Sequence, residues 1–175
     1  MDLASSCYHD GMNTASTPFA IRLAAPEDAA AILRLTQAAF ALHGDLLDPP
    51  SSVFHETEED VRQAMHEGAV IVATRDAELL GAARVRPLPE QQALYCGRLA
   101  VDPGTQGAGV GSRLMSAVEQ RAADEGYAAV VLGVRVQLEG NLRFFTKRGY
   151  TLIGEHSHPG YARTTYVRLR KDLNP

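Results

Sequence analysis

The chain has 175 residues, 45% hydrophobic and 22% charged, with a formal net charge of −4. That length supports one domain with its own core, and that charge gives no case for nucleic acid or an anionic membrane as partner. Two cysteines, Cys7 and Cys96, make no disulfide framework. No run approaches the ~18 apolar residues of a membrane span. The N-terminus lacks a basic, apolar secretion signal, so a reducing cytoplasm is the expected compartment. The charge is uneven. Residues 1–90 hold 14 acids against 6 bases, a net of −8, and residues 91–175 hold 7 against 11, a net of +4. The basic half suits an anionic ligand or is simply solvated surface.

Residues 1–18 are small and polar without a period and read as a disordered tail, with Met12 an alternative start. Phe19 to Leu23 reads as a strand. A helix then opens on Pro26-Glu27-Asp28 and runs to His43-Gly44, with Ile32, Leu33, Leu35 and Phe40 on its apolar face. Asp45 to Ser52, with Pro49-Pro50, is loop. Thr57 to His66 is a second helix with acids at its positive end, closed by Gly68. Ala69–Thr74 and Leu79–Val85 are strands joined by a turn at Arg75–Glu78. The next strand ends at Val101. Asp102-Pro103-Gly104 stops it, and Gly104, Gly107, Gly109 and Gly111 lead into a helix whose apolar residues Val110, Leu114, Ala117, Val118 and Ala122 recur with a 3.6-residue period. Gly126 closes that helix. Ala129–Val136 is a β-branched strand suited to burial on both faces. Leu138 to Arg148 is a short helix, and Tyr150–Gly154 and Thr164–Leu169 are the last strands. The order βααβββαβαββ makes residues 19–175 one α/β or α+β domain, a mixed sheet with helices on both faces.

The glycine turn is the candidate site. A helix start leaves main-chain N–H groups without intrahelical partners, and the macrodipole adds partial positive charge there. Glycine bares those amides to close approach. The product is an anion cradle, typically for phosphate. A Rossmann fingerprint fails, because Ser112 stands near the third glycine position and Val134-Arg135-Val136 lies where the ribose-binding acid belongs. A Walker loop fails for want of Gly-Lys-Ser/Thr.

A second constellation, Asn141 to Tyr150 (NLRFFTKRGY), narrows the choice. With it the sequence resembles the GNAT superfamily of acetyl-CoA-dependent N-acyltransferases. The family's Q/R-x-x-G-x-G/A loop is matched by Gln106, Gly109 and Gly111. Its L-x-V-x-P strand end is matched by Leu99, Val101 and Pro103. Its late helix is matched by Asn141, Phe144, Phe145, Lys147, Gly149 and Tyr150, with the asparagine-to-aromatic spacing one residue short. The resemblance implies a fold in which parallel strands 4 and 5 splay apart, here Arg98–Val101 and Leu132–Arg135. It implies that acetyl-CoA is the co-substrate and that no metal takes part. Amides from Gln106 through Gly107, Ala108, Gly109, Val110 and Gly111 to Ser112 would take the pyrophosphate. Leu99, Ala100 and Val101 would pair with the pantetheine arm, and a main-chain N–H there, Leu99 foremost, would polarise the acetyl carbonyl. Asn141, Phe144, Phe145 and Lys147 would complete the cofactor site, although Asn141 also reads as a helix N-cap. The chemistry implied is direct attack by the primary amine of a small molecule or peptide. The resemblance also allows a homodimer.

Phe145 departs from the pattern, standing where the family usually places a tyrosine that protonates the departing thiolate. Either another group, with Tyr161 and Tyr95 as candidates, gives the proton, or coenzyme A leaves as thiolate, which at a pKa of ~8.5 needs little help. Phe145 also keeps open a non-catalytic acyl-CoA-binding or sensing module. A strand carboxylate is a common family base, but no acid lies between Ala93 and Val101. Glu56, with Glu58, Glu59, His43 and Asp45, borders the expected acceptor side, and each has a plainer reading as a solvated or capping group. The acidic first half suggests a cationic acceptor. His156-x-His158 lacks a third metal ligand and reads as loop. Cys96 reads as a small buried hydrophobe.

Overall fold

Seven strands form one sheet in the computed structural model, which describes residues 19–173. The tail expected at residues 1–18 lies outside the described residues. The elements are β1 (Ala20–Leu23), α1 (Ala29–Ala41), α2 (Glu58–Glu67), β2 (Ala69–Arg75), β3 (Glu78–Leu88), β4 (Ala93–Val101), α3 (Val110–Asp124), β5 (Ala129–Arg135), α4 (Glu139–Lys147), β6 (Thr151–His156) and β7 (Tyr166–Asp172). This is the order expected from the patterning. The sheet runs β1-β2-β3-β4-β5-β7-β6 and is antiparallel except between β4 and β5. Among the described residues, no helix is long and apolar enough to cross a membrane.

The central strands are buried on both faces and send alternate side chains to two main cores. On one face Leu114, Met115 and Val118 of α3 and Phe145 of α4 cluster with Leu94, Cys96, Val130, Leu132 and Val134. On the other, Ile32 and Leu35 of α1 and Val61 of α2 cluster with Val70, Val72, Ala82 and Ala100. Glu119 ties the first layer together. Its carboxylate accepts from Arg148 at 3.2 Å, Tyr150 Oη at 3.1 Å and Lys171 at 2.8 Å. The helix start expected at Thr57 is a capping box, in which Asp60 N donates to the Thr57 hydroxyl and Thr57 N donates back to the Asp60 carboxylate.

Several boundaries differ from expectation. β6 reaches His156, expected in the loop, and β7 spans Tyr166–Asp172, not Thr164–Leu169. The β2–β3 turn narrows to Asp76-Ala77, with Asp76 left-handed at φ 52°. β3 continues through Pro87 to Leu88. Pro87 is tolerated because β2 pairing stops at Val85, so residues 86–88 pair only with β4 and form a sheet edge.

The feature that shapes the site is an unfinished parallel pairing. β4 and β5 pair from Ala93↔Ala129 to Cys96↔Leu132, yet β4 runs on to Val101 and β5 to Arg135. Beside that point β4 carries a bulge against β3. Arg84 pairs with Gly97 and Ala82 with Ala100, so one extra residue sits on β4. Arg98, inside the bulge, is left-handed at φ 50°. The extra residue shifts the alternation, so Ala100 faces α1 while Leu99 and Val101 pack towards α3. The strands then part, and a groove opens between them.

Leu114 is fully buried at the centre of the α3 layer. Leu114→Ala is expected to lower unfolding free energy by about 2–5 kcal/mol, read from denaturant titration, because the rigid sheet beneath it does not collapse into the void.

Candidate functional site

The groove between β4 and β5 deepens into a cleft of about 620 Å³. Its floor is the splay, Cys96 to Val101 on one strand and Leu132 to Arg135 on the other. One wall is the start of α3 with Leu138, Asn141, Phe144 and Phe145 from the region of α4. The opposite wall is Ala39, Phe40, His43 and Leu47 at the end of α1.

At the α3 wall, Gly109 is the N-cap at φ 81° and Gly107 stands at φ 83°. Both conformations suit glycine. A Cβ at either position would meet no protein atom within 4 Å, so the space over the loop is open. Glycine has no side chain with which to cap α3, and the amides of Val110, Gly111 and Ser112 stand in the first helical turn, where intrahelical acceptors are lacking. Gln106, Gly107, Gly109, Val110, Gly111 and Ser112 all line the cleft. Ala108 does not, and its N–H donates to the Thr105 carbonyl at 3.2 Å, so that amide is occupied.

Leu99, Ala100 and Val101 line the splay. The pairing register skips Arg98 and Leu99 on the β3 side and ends at Cys96 on the β5 side, which leaves Leu99 in neither ladder. On α4, Asn141, Phe144 and Phe145 share the cleft wall. Leu138, not Asn141, occupies the N-cap position, which removes the capping reading of Asn141. Phe145 is buried edge-on between Phe144 and Tyr150. Lys147 is exposed at the C-terminal end of α4 and lies outside the lining, because the helix carries it past the cleft.

Several of the groups expected to move protons are engaged elsewhere. Glu56 is not a free base. Its carboxylate accepts from Arg84 Nη2 at 2.7 Å and Arg98 Nε at 2.7 Å, so both oxygens serve guanidiniums. Glu58 and Glu59 pair with Arg62 along α2. Asp45 is exposed and outside the lining. Tyr161 donates to Asp48 Oδ1 at 2.6 Å and does not line the cleft; that bond to a carboxylate holds its phenol above the ordinary range. Asp48, bonded by Tyr161 and Arg163, is held below the usual carboxylate range. Tyr95 is raised by burial, and its hydroxyl lies 3.3 Å from where a Cβ on Gly133 would stand. Tyr150 is buried and its hydroxyl is spent on Glu119. His156 stacks on Tyr166, and His158 Nδ1 contacts the Thr165 hydroxyl at 2.6 Å.

The acidic first half does not produce an acidic cleft. Among the described residues no carboxylate lines it, whereas Arg98, Arg135 and His43 do. The cationic acceptor expected from bulk charge therefore has no support in the lining. Arg98 and Arg135 were not marked as site residues by sequence reasoning, although a signal existed: Arg135 is a lone charge in the apolar run AVVLGVRV, alternating with Gly133.

A family model described as Acetyltransferase (GNAT) family matches residues 39–150. No curated protein matches the sequence. Solved structures share the fold. Ard1 from Thermoplasma volcanium superposes with a TM-score of 0.75 at 19% identity, over 90% of this chain and 99% of that one. The ribosomal-protein-S18-alanine N-acetyltransferase from Escherichia coli gives 0.72 at 15%, over 90% and 96%. The yncA protein from Salmonella typhimurium, solved with its cofactor acetyl-CoA, gives 0.68 at 19%, over 90% and 95%.

Cys96 is the one thiol among the described residues, and it lines the floor. Burial, reinforced by the Glu119 carboxylate, pushes it up to about 12. It is therefore a protonated, inert wall atom rather than a nucleophile. Alkylation with iodoacetamide at about pH 8 is expected to spare Cys96 in the native protein and modify it after denaturation, read by peptide mass spectrometry.

Proposed function

The chain belongs to the GNAT family of acetyltransferases, and on that premise we propose that it takes acetyl-CoA as co-substrate and moves the acetyl group to a primary amine of a small molecule or peptide by direct attack. One observation carries the reading: a helix start bared by glycine stands at the mouth of two parted parallel strands, inside a cleft of about 620 Å³. The amides from Gly109 to Ser112 are suited to the pyrophosphate, where unpaired donors and the helix dipole act together. Gln106, Asn141 and Phe144 would flank the phosphates and the arm. The peptide-like pantetheine would take up the main-chain groups that β4 and β5 leave unpaired beyond Cys96. The Leu99 amide, outside both ladders, would donate to the thioester oxygen as negative charge develops on it.

An alkyl amine must lose a proton before it attacks. With Glu56 clamped, His43, the one imidazole lining the cleft among the described residues, is the group assigned to accept that proton. Coenzyme A would depart as thiolate, since Phe145 has no proton to give and Tyr150 and Tyr161 spend theirs on carboxylates.

The test is thermal shift followed by turnover. Acetyl-CoA and CoA at a hundred times Kd are expected to stabilise the fold by about 2.7 kcal/mol, NAD and ATP to do nothing, and thiol release to follow over an amine panel. Gly109→Val should abolish the shift, because a β-branched residue strains the φ 81° turn and its side chain projects into the open space over the loop. Binding without thiol release would make the chain an acyl-CoA sensor instead. His43→Gln is expected to lower kcat/KM by about 10²-fold near pH 7, with the deficit shrinking at high pH as the free amine becomes abundant. A deficit independent of pH would remove His43 from the role of base.

A further inference from the structure

The floor of the cleft holds a cation with no ion-pair partner among the described residues. Arg135 ends β5 and lines the cleft. It shares strand parity with Val131 and Gly133, whereas Val130, Leu132 and Val134 pack towards α3. It therefore stands on the face away from the pyrophosphate loop, and its Nη2 donates to the Pro49 carbonyl in the segment between α1 and α2. Among the described residues it makes no ion pair, and its Nε is buried without a partner. The nearby acids are committed. Asp48 is bonded by Arg163 and Tyr161, and Glu56 is shared by Arg84 and Arg98. Arg98 is further held by the Ser52 hydroxyl at 2.8 Å and lies over the Phe40 ring. Arg98 is thus hydrogen-bonded to a carboxylate, whereas Arg135 feels Asp48 only through space and makes no hydrogen bond to it.

A half-buried guanidinium with one neutral acceptor is an incomplete arrangement. Desolvation disfavours its charge, and burial pushes Arg135 below the ordinary guanidinium range. Its planar fork matches a carboxylate in two parallel hydrogen bonds, and such charge-assisted pairs are the strong ones. Arg135 is itself part of the splay, so an acceptor held there would lie beside it.

We propose that the acceptor is a small primary amine that also carries a carboxylate, an amino acid in the first instance, and that Arg135 is the residue that selects it. This rests on the acetyl-transfer reading above and names its substrate class. It is the opposite of the polyamine-like acceptor that bulk charge suggests.

The experiment measures thiol release from acetyl-CoA with the common amino acids, their carboxamides, the corresponding amines lacking the carboxyl group, and spermidine, all compared per free amine. The best amino acid is expected to exceed its carboxamide and its simple amine at least tenfold in kcat/KM. Arg135→Gln should reduce that ratio to about twofold or less through the acceptor KM, and Arg135→Lys should keep a preference above threefold. Stabilisation by acetyl-CoA verifies that each variant is folded. A preference for carboxamide, simple amine or spermidine in the unmodified protein overturns the proposal without touching the acetyl-transfer reading. So does an Arg135→Gln variant that raises the KM for acetyl-CoA and leaves the acceptor ratio intact, since the guanidinium would then serve a coenzyme phosphate. Binding of acetyl-CoA with no release for any amine refutes the transfer reading, and the proposal falls with it.

Discussion

A parallel pair of strands that stops pairing halfway is the constraint on which everything else depends. Strands β4 and β5 hold each other only to Cys96 and Leu132. Beyond that point their main-chain groups face a groove, and unpaired main-chain groups are costly unless something meets them. The local cause is the extra residue in β4, with Arg98 in a conformation uncommon for a side chain of its kind. Such a residue persists only when its surroundings hold it. Here Glu56 and Ser52 grip the guanidinium. Glu56 therefore earns its place as a brace for the bulge.

Charge in this chain is organised by sharing. Glu119 serves Arg148, Lys171 and Tyr150, and so joins α3 to the chain beyond α4 and to β7. Glu56 serves Arg84 and Arg98 and so joins the α1–α2 segment to the sheet. Asp48 meets Arg163 and Tyr161 and ties that same segment to the β6–β7 loop. Each carboxylate is thereby withdrawn from the cleft, and the groups left lining it are cationic or neutral. The two ends of the cleft then differ in kind, with main-chain amides and a helix dipole at one and a guanidinium at the other.

Much of the fold was legible because it rests on local rules. Glycine after the Asp102-Pro103 stop announces a strand–turn–helix, and the period of Val110, Leu114 and Val118 names the buried face of α3. The element order followed from such signals, and so did the glycine-capped start of α3. What escaped were features made by pairing. The bulge at Arg98 carries no mark in ALYCGRLAV, and Pro87 hides the continuation of β3 because its tolerance depends on where a neighbouring strand ends.

The sequence by itself determined the elements, their order, the two cores and the glycine-bared helix start, since these follow from side-chain period and main-chain freedom within short windows. Only the tertiary structure decided which charges are spent. Glu56 meets Arg98 across 42 positions and Tyr161 meets Asp48 across 113, so no local pattern could tell a free acid or base from a paired one. Whether Arg135 is a solvated surface charge or an unpaired cation in a cleft likewise depends on what the rest of the chain brings beside it.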